Sequence, residues 1–585
     1  MKWDLSAFYQ AINDPQIEKD LTFLAQIIEE YTSLIYRLEN NIKQPAPIET
    51  VLEKQIEIDL TIDKISTFAH LAVSTDAKNQ AARSLEDKVE KLITNLTKPS
   101  VTFQKWLASL VNLKELIHRS DFLKAHAFHL FERAENTSYL LDEEVEQTIS
   151  ILSQTGSNAW TKLYGTLSST QLVEITTDNK TQKLPLPIVR NMAYENDPQI
   201  RKIAYEAELK SYQPVEESLA AAINSIKGEV IEICKMRKFT SPLYESLYHS
   251  RLEKSALDAM LEAINESLPV LRKYLLKKAK NLGHAGALPF YDLFAPQGEL
   301  SFKFTYEDAQ KFIIENFQNF SNELSGFAKH AFQHKWIDAL PRDGKRGGGF
   351  CASSKAIKES RILTNFTGVF SDIGTLAHEL GHAYHSYCLK EETTLNSSYP
   401  MPIAETASIF CESIIKDAFF QKATTEEKIP LLASTLDDAI QCIVDIYSRF
   451  LFESNLFEKR KTSTLSVNEL NELMLDAQKK AYGEGLDPHT LHPYMWACKP
   501  HYYYPSSNFY NYPYAFGLLF AKGLYSQFLN EGKPFVSKYQ ELLKITGKNK
   551  IVDITKSVGI DITKKTFWQN SLKLIEADVN NFCAL

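Results

Sequence analysis

His378-Glu379-Leu380-Gly381-His382 sets two histidines four residues apart with a glutamate beside the first. Such a group can act as a unit if it is helical. Positions i and i+4 then stand one above the other on one face, and two imidazoles can converge on a single ion. The glutamate lies near enough to a bound metal to take a proton from its water. The spacing therefore implies metal-assisted hydrolysis, with zinc the expected ion.

Most histidines are core hydrogen-bonding groups or solvated side chains, so the context matters. Phe370 to Ala377 leads into the motif, with Ser371 or Asp372 as the expected N-cap. Leu376, Leu380, Ala383 and Tyr387 continue an apolar face, which predicts a buried helix. Buried histidines need partners. A catalytic zinc takes three protein ligands and keeps a fourth position open. Beyond Pro400 and Pro402 a second helix is expected, carrying Glu405 and Glu412 seven apart on one face. Apolar Ile403, Ala404, Ala407, Ile409 and Phe410 argue against full exposure. Glu405 is the chosen third ligand, with Glu412 as a supporting or alternate group. His385 shares part of the His382 face and is a further supporting candidate.

A chain of 585 residues exceeds one hydrophobic core, so two or more lobes are expected. Its net charge of −8, without a large basic block, disfavours nucleic acid or an anionic membrane as partner. No run approaches ~18 consecutive apolar residues, and Met1 to Pro15 does not read as a secretion signal. Seven scattered cysteines form no CxxC pair and read as reduced thiols. These features point to the cytoplasm.

Helical periodicity dominates residues 16–170 and resumes from Asp197 to about Lys280, with prolines 45, 47 and 99 breaking it. Gln171–Ile175 and Lys183–Pro187, around Asp178-Asn179, predict a short hairpin. Ser301–Thr305, Gly348–Ala352 and Arg361–Phe366 predict a small sheet just before the metal helix. The glycine-rich loop Asp343–Phe350 lacks the phosphate-loop pattern. It reads as a flexible turn, or as a bare edge where Gly347, Gly348 and Gly349 let an extended peptide approach.

Six tyrosines and a histidine crowd residues 501–514. Aromatic packing accounts for several of them, and a phenol can also donate to an oxyanion.

The run from Asn365 to His385 resembles the zinc helix of the oligoendopeptidase F family, relatives of thimet oligopeptidase. Ala404-Glu405-Thr406-Ala407-Ser408 is similar to the family segment that carries the third zinc ligand. Trp3 to Tyr9, Asn196-Asp197-Pro198 with Arg201 to Glu208, and the tyrosine-rich block extend the likeness over nearly the whole chain. The resemblance implies a mainly α fold of two helical lobes around a deep substrate channel, with one small β-sheet next to the HExxH helix. It implies one zinc ion on His378, His382 and Glu405, with Glu379 as general base. It also implies oxyanion donors at Tyr512, His501 and either Tyr503 or Tyr504, of which Tyr504 is chosen, and a substrate contact at Tyr510.

The expected division is a helical domain over 1–115, a helical segment with a hairpin over 116–190, and a catalytic domain over 191–585. The expected activity is cleavage of internal bonds in short unstructured peptides. Rival readings are a carboxypeptidase or dipeptidyl carboxypeptidase with the same site, an inactive peptide-binding protein, and a structural zinc site using Cys388 or Cys411.

Overall fold

Helices begin where the chain supplies a cap. Asp14 accepts the Gln16 N–H at 2.9 Å and opens Pro15–Tyr36; Asp197 accepts the Gln199 N–H at 2.8 Å and opens Pro198–Tyr212. Each such cap stabilises its helix by about 1 kcal/mol. Pro45 precedes Ala46–Thr75, and Pro99 occupies the first turn of Thr97–Ser109, where its missing N–H costs nothing. The computed structural model describes all residues except 41, 178–179 and 299–302. It is mainly helical with small sheets. Among the described residues no helix is long and apolar enough to cross a membrane.

Strands β1 (Leu172–Thr177) and β2 (Lys180–Pro185) form the expected antiparallel hairpin, with Val173 opposite Leu184. Its turn residues Asp178 and Asn179 lie outside the described residues. The second sheet contains β3 (Ile337–Asp338), β4 (Phe350–Ser354) and β5 (Glu359–Leu363) in the order β3-β5-β4. β3 is parallel to β5 and β4 antiparallel, with Cys351 opposite Ile362.

Two expectations change here. Lys303–Thr305 is not a strand; Phe304 makes a backbone bond to the Gly368 carbonyl, and Thr305 caps the helix Tyr306–Phe320 in a box with Asp308. Ser301 and Phe302 lie outside the described residues. The strand actually missed, β3, is two residues long, too short for a period-2 pattern to register.

Two compact units emerge, each assembled from separated segments. The first comprises Met1–Tyr139, Phe302–Phe419 and Gln527–Gly559. Its core gathers Leu24, Tyr31, Leu52, Phe68 and Phe103 from the N-terminal helices around Leu363 of β5. The helix Phe370–Cys388 packs on β4 and β5, so the small sheet does lie against the HExxH helix. The second unit comprises Leu140–Ser301, Phe420–Ser526 and Ile560–Leu585. There Lys254–Asn281 packs along Lys565–Ala584, and Ile446–Arg460 along Val467–Tyr482.

Candidate active site

The helix bearing the motif starts at Phe370 with Val369 as N-cap, not at Ser371 or Asp372. Val369 has no side-chain acceptor, so Asp372 caps from inside the first turn. Its Oδ2 accepts the N–H groups of Thr367, Gly368 and Val369 at 2.6, 2.9 and 3.2 Å. Gly368 makes this turn possible with φ +93, a conformation that side chains disfavour. Ile373, Leu376, Ala377, Leu380 and Ala383 are fully buried along the core side of the helix. His378 and His382 are half-buried on the other side, their ring centroids 4.9 Å apart.

Glu405 arrives from a proline-bounded turn. Its carbonyl accepts the Ile409 N–H at 3.1 Å, which opens the helix Thr406–Lys422 and fixes the direction in which the Glu405 carboxylate points. Its Oε2 lies 3.2 Å from His378 Nε2 and 3.3 Å from His382 Nε2. Among the described residues these three form the group of His, Cys, Asp or Glu able to hold a metal ion. Ligand bonds of 2.0–2.1 Å in a tetrahedron separate donor atoms by about 3.3 Å, so the spacing suits a zinc-sized ion. Neither Cys388 nor Cys411 joins the group, and all seven cysteines are free.

Electrostatics reinforce the geometry. Burial would raise the Glu405 carboxyl, but hydrogen bonds from His378, His382 and Ser408 hold it well below the usual range. Burial alone would lower His378; its bonds to Glu405 and Glu412 instead push it up to about 10. Glu412 Oε2 sits 3.4 Å from His378 Nδ1 and its other oxygen 2.6 Å from Lys416. Against the cost of burial, Lys416 and His378 hold Glu412 down to about 2. With Glu412 accepting from Nδ1–H, Nε2 is the nitrogen that would release its proton to ligate a metal. The Glu379 side chain is 6% exposed, and burial raises its pKa despite the nearby histidines.

The glycine loop borders this glutamate. A Cβ on Gly349 would meet Glu379 Oε1 at 3.3 Å and Thr375 Cγ2 at 3.0 Å. Gly348 has φ +79, and nothing lies within 4 Å of a Cβ placed on Gly347. A cavity of about 470 Å³ lies here, lined by Gly349, Phe350, Cys351, Glu379, Tyr399 and the group His378, His382 and Glu405. His385 turns away from it. Its ring is buried against Tyr399 at 4.1 Å, bonds Thr546 at 2.9 Å, and is pushed by burial down to about 3.

The tyrosine-rich block lies in the second unit. Tyr512 is buried, and its hydroxyl donates to Ser250 Oγ at 2.9 Å. Tyr510 shares a 2.7 Å hydroxyl bond with Tyr514 and stacks on His501. Burial, aided by Arg449 and Lys499, lowers His501 to about 2, so its imidazole is neutral. Tyr503 is buried against Tyr164 with centroids 3.8 Å apart, whereas Tyr504 is 37% exposed.

Sequence reasoning missed Gly381, Ser408 and Lys416. The first is a close-approach glycine hidden inside the motif. Ser408 donates to Glu405 Oε2 at 2.6 Å, at an i,i+3 spacing that was visible.

A model of peptidase family M3 matches residues 191–574, and one for oligopeptidase F matches residues 108–170. An oligoendopeptidase F homolog of Lactococcus lactis subsp. lactis (strain IL1403) is 25% identical, over 98% of this chain and 96% of its own. An oligoendopeptidase F homolog of Borreliella burgdorferi is 27% identical, over 95% and 96%. The solved oligoendopeptidase-F of Enterococcus faecium shares the fold with a TM-score of 0.70 at 17% identity, covering 97% of this chain and 98% of that one.

Proposed function

This chain belongs to peptidase family M3 and is a peptide-hydrolysing metallopeptidase, and we propose that it is a zinc-dependent oligoendopeptidase cutting internal bonds of short unstructured peptides. The observation that carries the reading is the convergence of His378, His382 and Glu405 on one point, with the buried Glu379 on the same helix. These three residues would hold the zinc. When bound, it would lower the pKa of a water and polarise the scissile carbonyl.

The Glu379 carboxylate takes a proton from the attacking water and delivers it to the leaving amine nitrogen. Burial raises the proton affinity of Glu379, which suits that exchange. Glu412 orients His378 through Nδ1. Gly347, Gly348 and Gly349 leave the approach to β4 free of side chains, so an extended peptide can lie there. Tyr512, His501, Tyr504 and Tyr510 enter this reading through the resemblance of their block. The Tyr512 hydroxyl is held by Ser250 Oγ at 2.9 Å and by the Ser246 carbonyl at 3.4 Å. The free cysteines support a reducing, cytoplasmic compartment.

Purified protein incubated with a mixture of short peptides tests this, with products identified by mass spectrometry. Internal cuts that vanish with chelator, return with zinc and are absent from Glu379→Gln are expected. Stepwise trimming from one end would replace the reading with a carboxypeptidase. Metal-loaded protein that binds peptide without cutting it would make it a binding protein.

A further inference from the structure

A second cavity, of about 300 Å³, opens in the same unit as the metal triad. It shares Ser353, Ser386 and Tyr399 with the metal cavity, so the two are joined along a common wall. One side is β4, which runs from Phe350 at the metal cavity to Ser354 at the second. The other is the motif helix and the turn beyond it, where His382, Ser386 and Lys390 follow at four-residue steps. Eight residues at 1.5 Å each put Lys390 on the order of 12 Å past His382. An extended peptide covers that distance in about four residues.

The charge in this cavity is one-sided. Lys355, Lys358 and Lys390 line it against a single carboxylate, Glu359. Glu359 is held by Arg361 at 2.9 Å, and Lys358 by Glu391 at 3.0 Å. Lys355 donates to the carbonyls of Leu389 and Glu392. Lys390 has the Tyr387 ring 4.0 Å from its Nζ and no carboxylate at ion-pair distance among the described residues. An ammonium over an aromatic face keeps its hydrogen-bond donors available to an incoming anion.

We propose that this cavity is a distal substrate subsite for a carboxylate, with Lys390 as the charge that receives it, three or four residues along the peptide from the bond cut. The proposal rests on the peptidase reading above. A carboxylate there is either an acidic side chain or the free C-terminus of a short substrate.

The test compares three versions of one cleavable peptide on zinc-loaded protein. The first is neutral with an amidated terminus, the second has a free C-terminal carboxylate, and the third is amidated with glutamate three or four residues from the cut. Wild-type protein is expected to prefer a carboxylate peptide, and K390Q to reduce that preference about tenfold through KM, with K390R restoring it. The peptide that responds distinguishes terminus from side chain. Equal KM values for all three on wild type, or a preference unchanged in K390Q, would overturn the subsite. Fluorescence anisotropy with Glu379→Gln protein gives the same comparison without turnover. Carboxylate binding that depends on Lys390 in a protein that cuts nothing would sink the peptidase reading and leave the subsite standing.

Discussion

Gly381 and Ala407 meet backbone to backbone: a Cβ on Gly381 would come within 2.4 Å of the Ala407 carbonyl oxygen and 2.6 Å of Ser408 Cα. Neither atom belongs to a flexible side chain, so any larger residue must drive the two segments apart. Glu405 lies two residues before Ala407, and Gly381 adjoins His382. The missing side chain therefore lets the segment bearing Glu405 come close to the helix of His378 and His382.

Gly381→Ala is accordingly expected to weaken zinc binding and to lower kcat/KM by about 10²-fold, the cost of roughly 1 Å of misplacement. Competition with a chelating dye and peptide kinetics on metal-saturated protein measure the two effects. Wild-type values for both would show that this contact does not position Glu405.

Glu412→Gln removes the negative charge behind His378 Nδ1 and beside Lys416. Zinc affinity should drop about 10- to 100-fold. Activity should recover as zinc is added in excess. Unchanged affinity would confine Glu412 to its pairing with Lys416.

Tyr512→Phe deletes a buried hydroxyl bonded to Ser250, at about 1 kcal/mol of stability. The proposed oxyanion role adds a fall in kcat of about 10²-fold. A lowered Tm with full kcat would assign the hydroxyl to Ser250 alone.

Glu208, in the second unit, predicts a pH dependence of stability. Burial opposes its charge, but His492 at 3.4 Å, Arg190 at 3.1 Å and the Tyr212 hydroxyl at 3.0 Å bring it down to about 2 from an ordinary 4.5. A carboxyl depressed on folding contributes stability that is complete above pH 4.5 and lost as pH falls toward 2. Glu208→Gln should thus be less stable by roughly 2–3 kcal/mol at pH 7, with the deficit shrinking below pH 4.5. Denaturant melts between pH 7 and pH 3 check this; a deficit constant across that range would contradict it.

Much of the site was legible because its first elements are local. The i,i+4 spacing of His378 and His382, and the apolar positions between them, decide the helix and its faces through short-range hydrogen bonds. The N-cap was misplaced by two or three residues because Asp372 caps from within the first turn, a variant that the residue type alone does not distinguish. The hairpin was legible from its β-branched runs; β3 was not, because two residues carry no period.

From sequence alone came the helical class and the pairing of His378 with His382 on one helix face, since composition and near-neighbour spacing encode both, together with the expectation that Glu405 joins them. The tertiary structure decided that Glu405 Oε2 stands 3.2–3.3 Å from both imidazoles, and that Gly349 borders Glu379. It also decided that residues 1–139, 302–419 and 527–559 share one unit. Such relations depend on which buried surfaces fit together across hundreds of residues. A periodic pattern shows that a face will be buried, but the shape of its partner selects where.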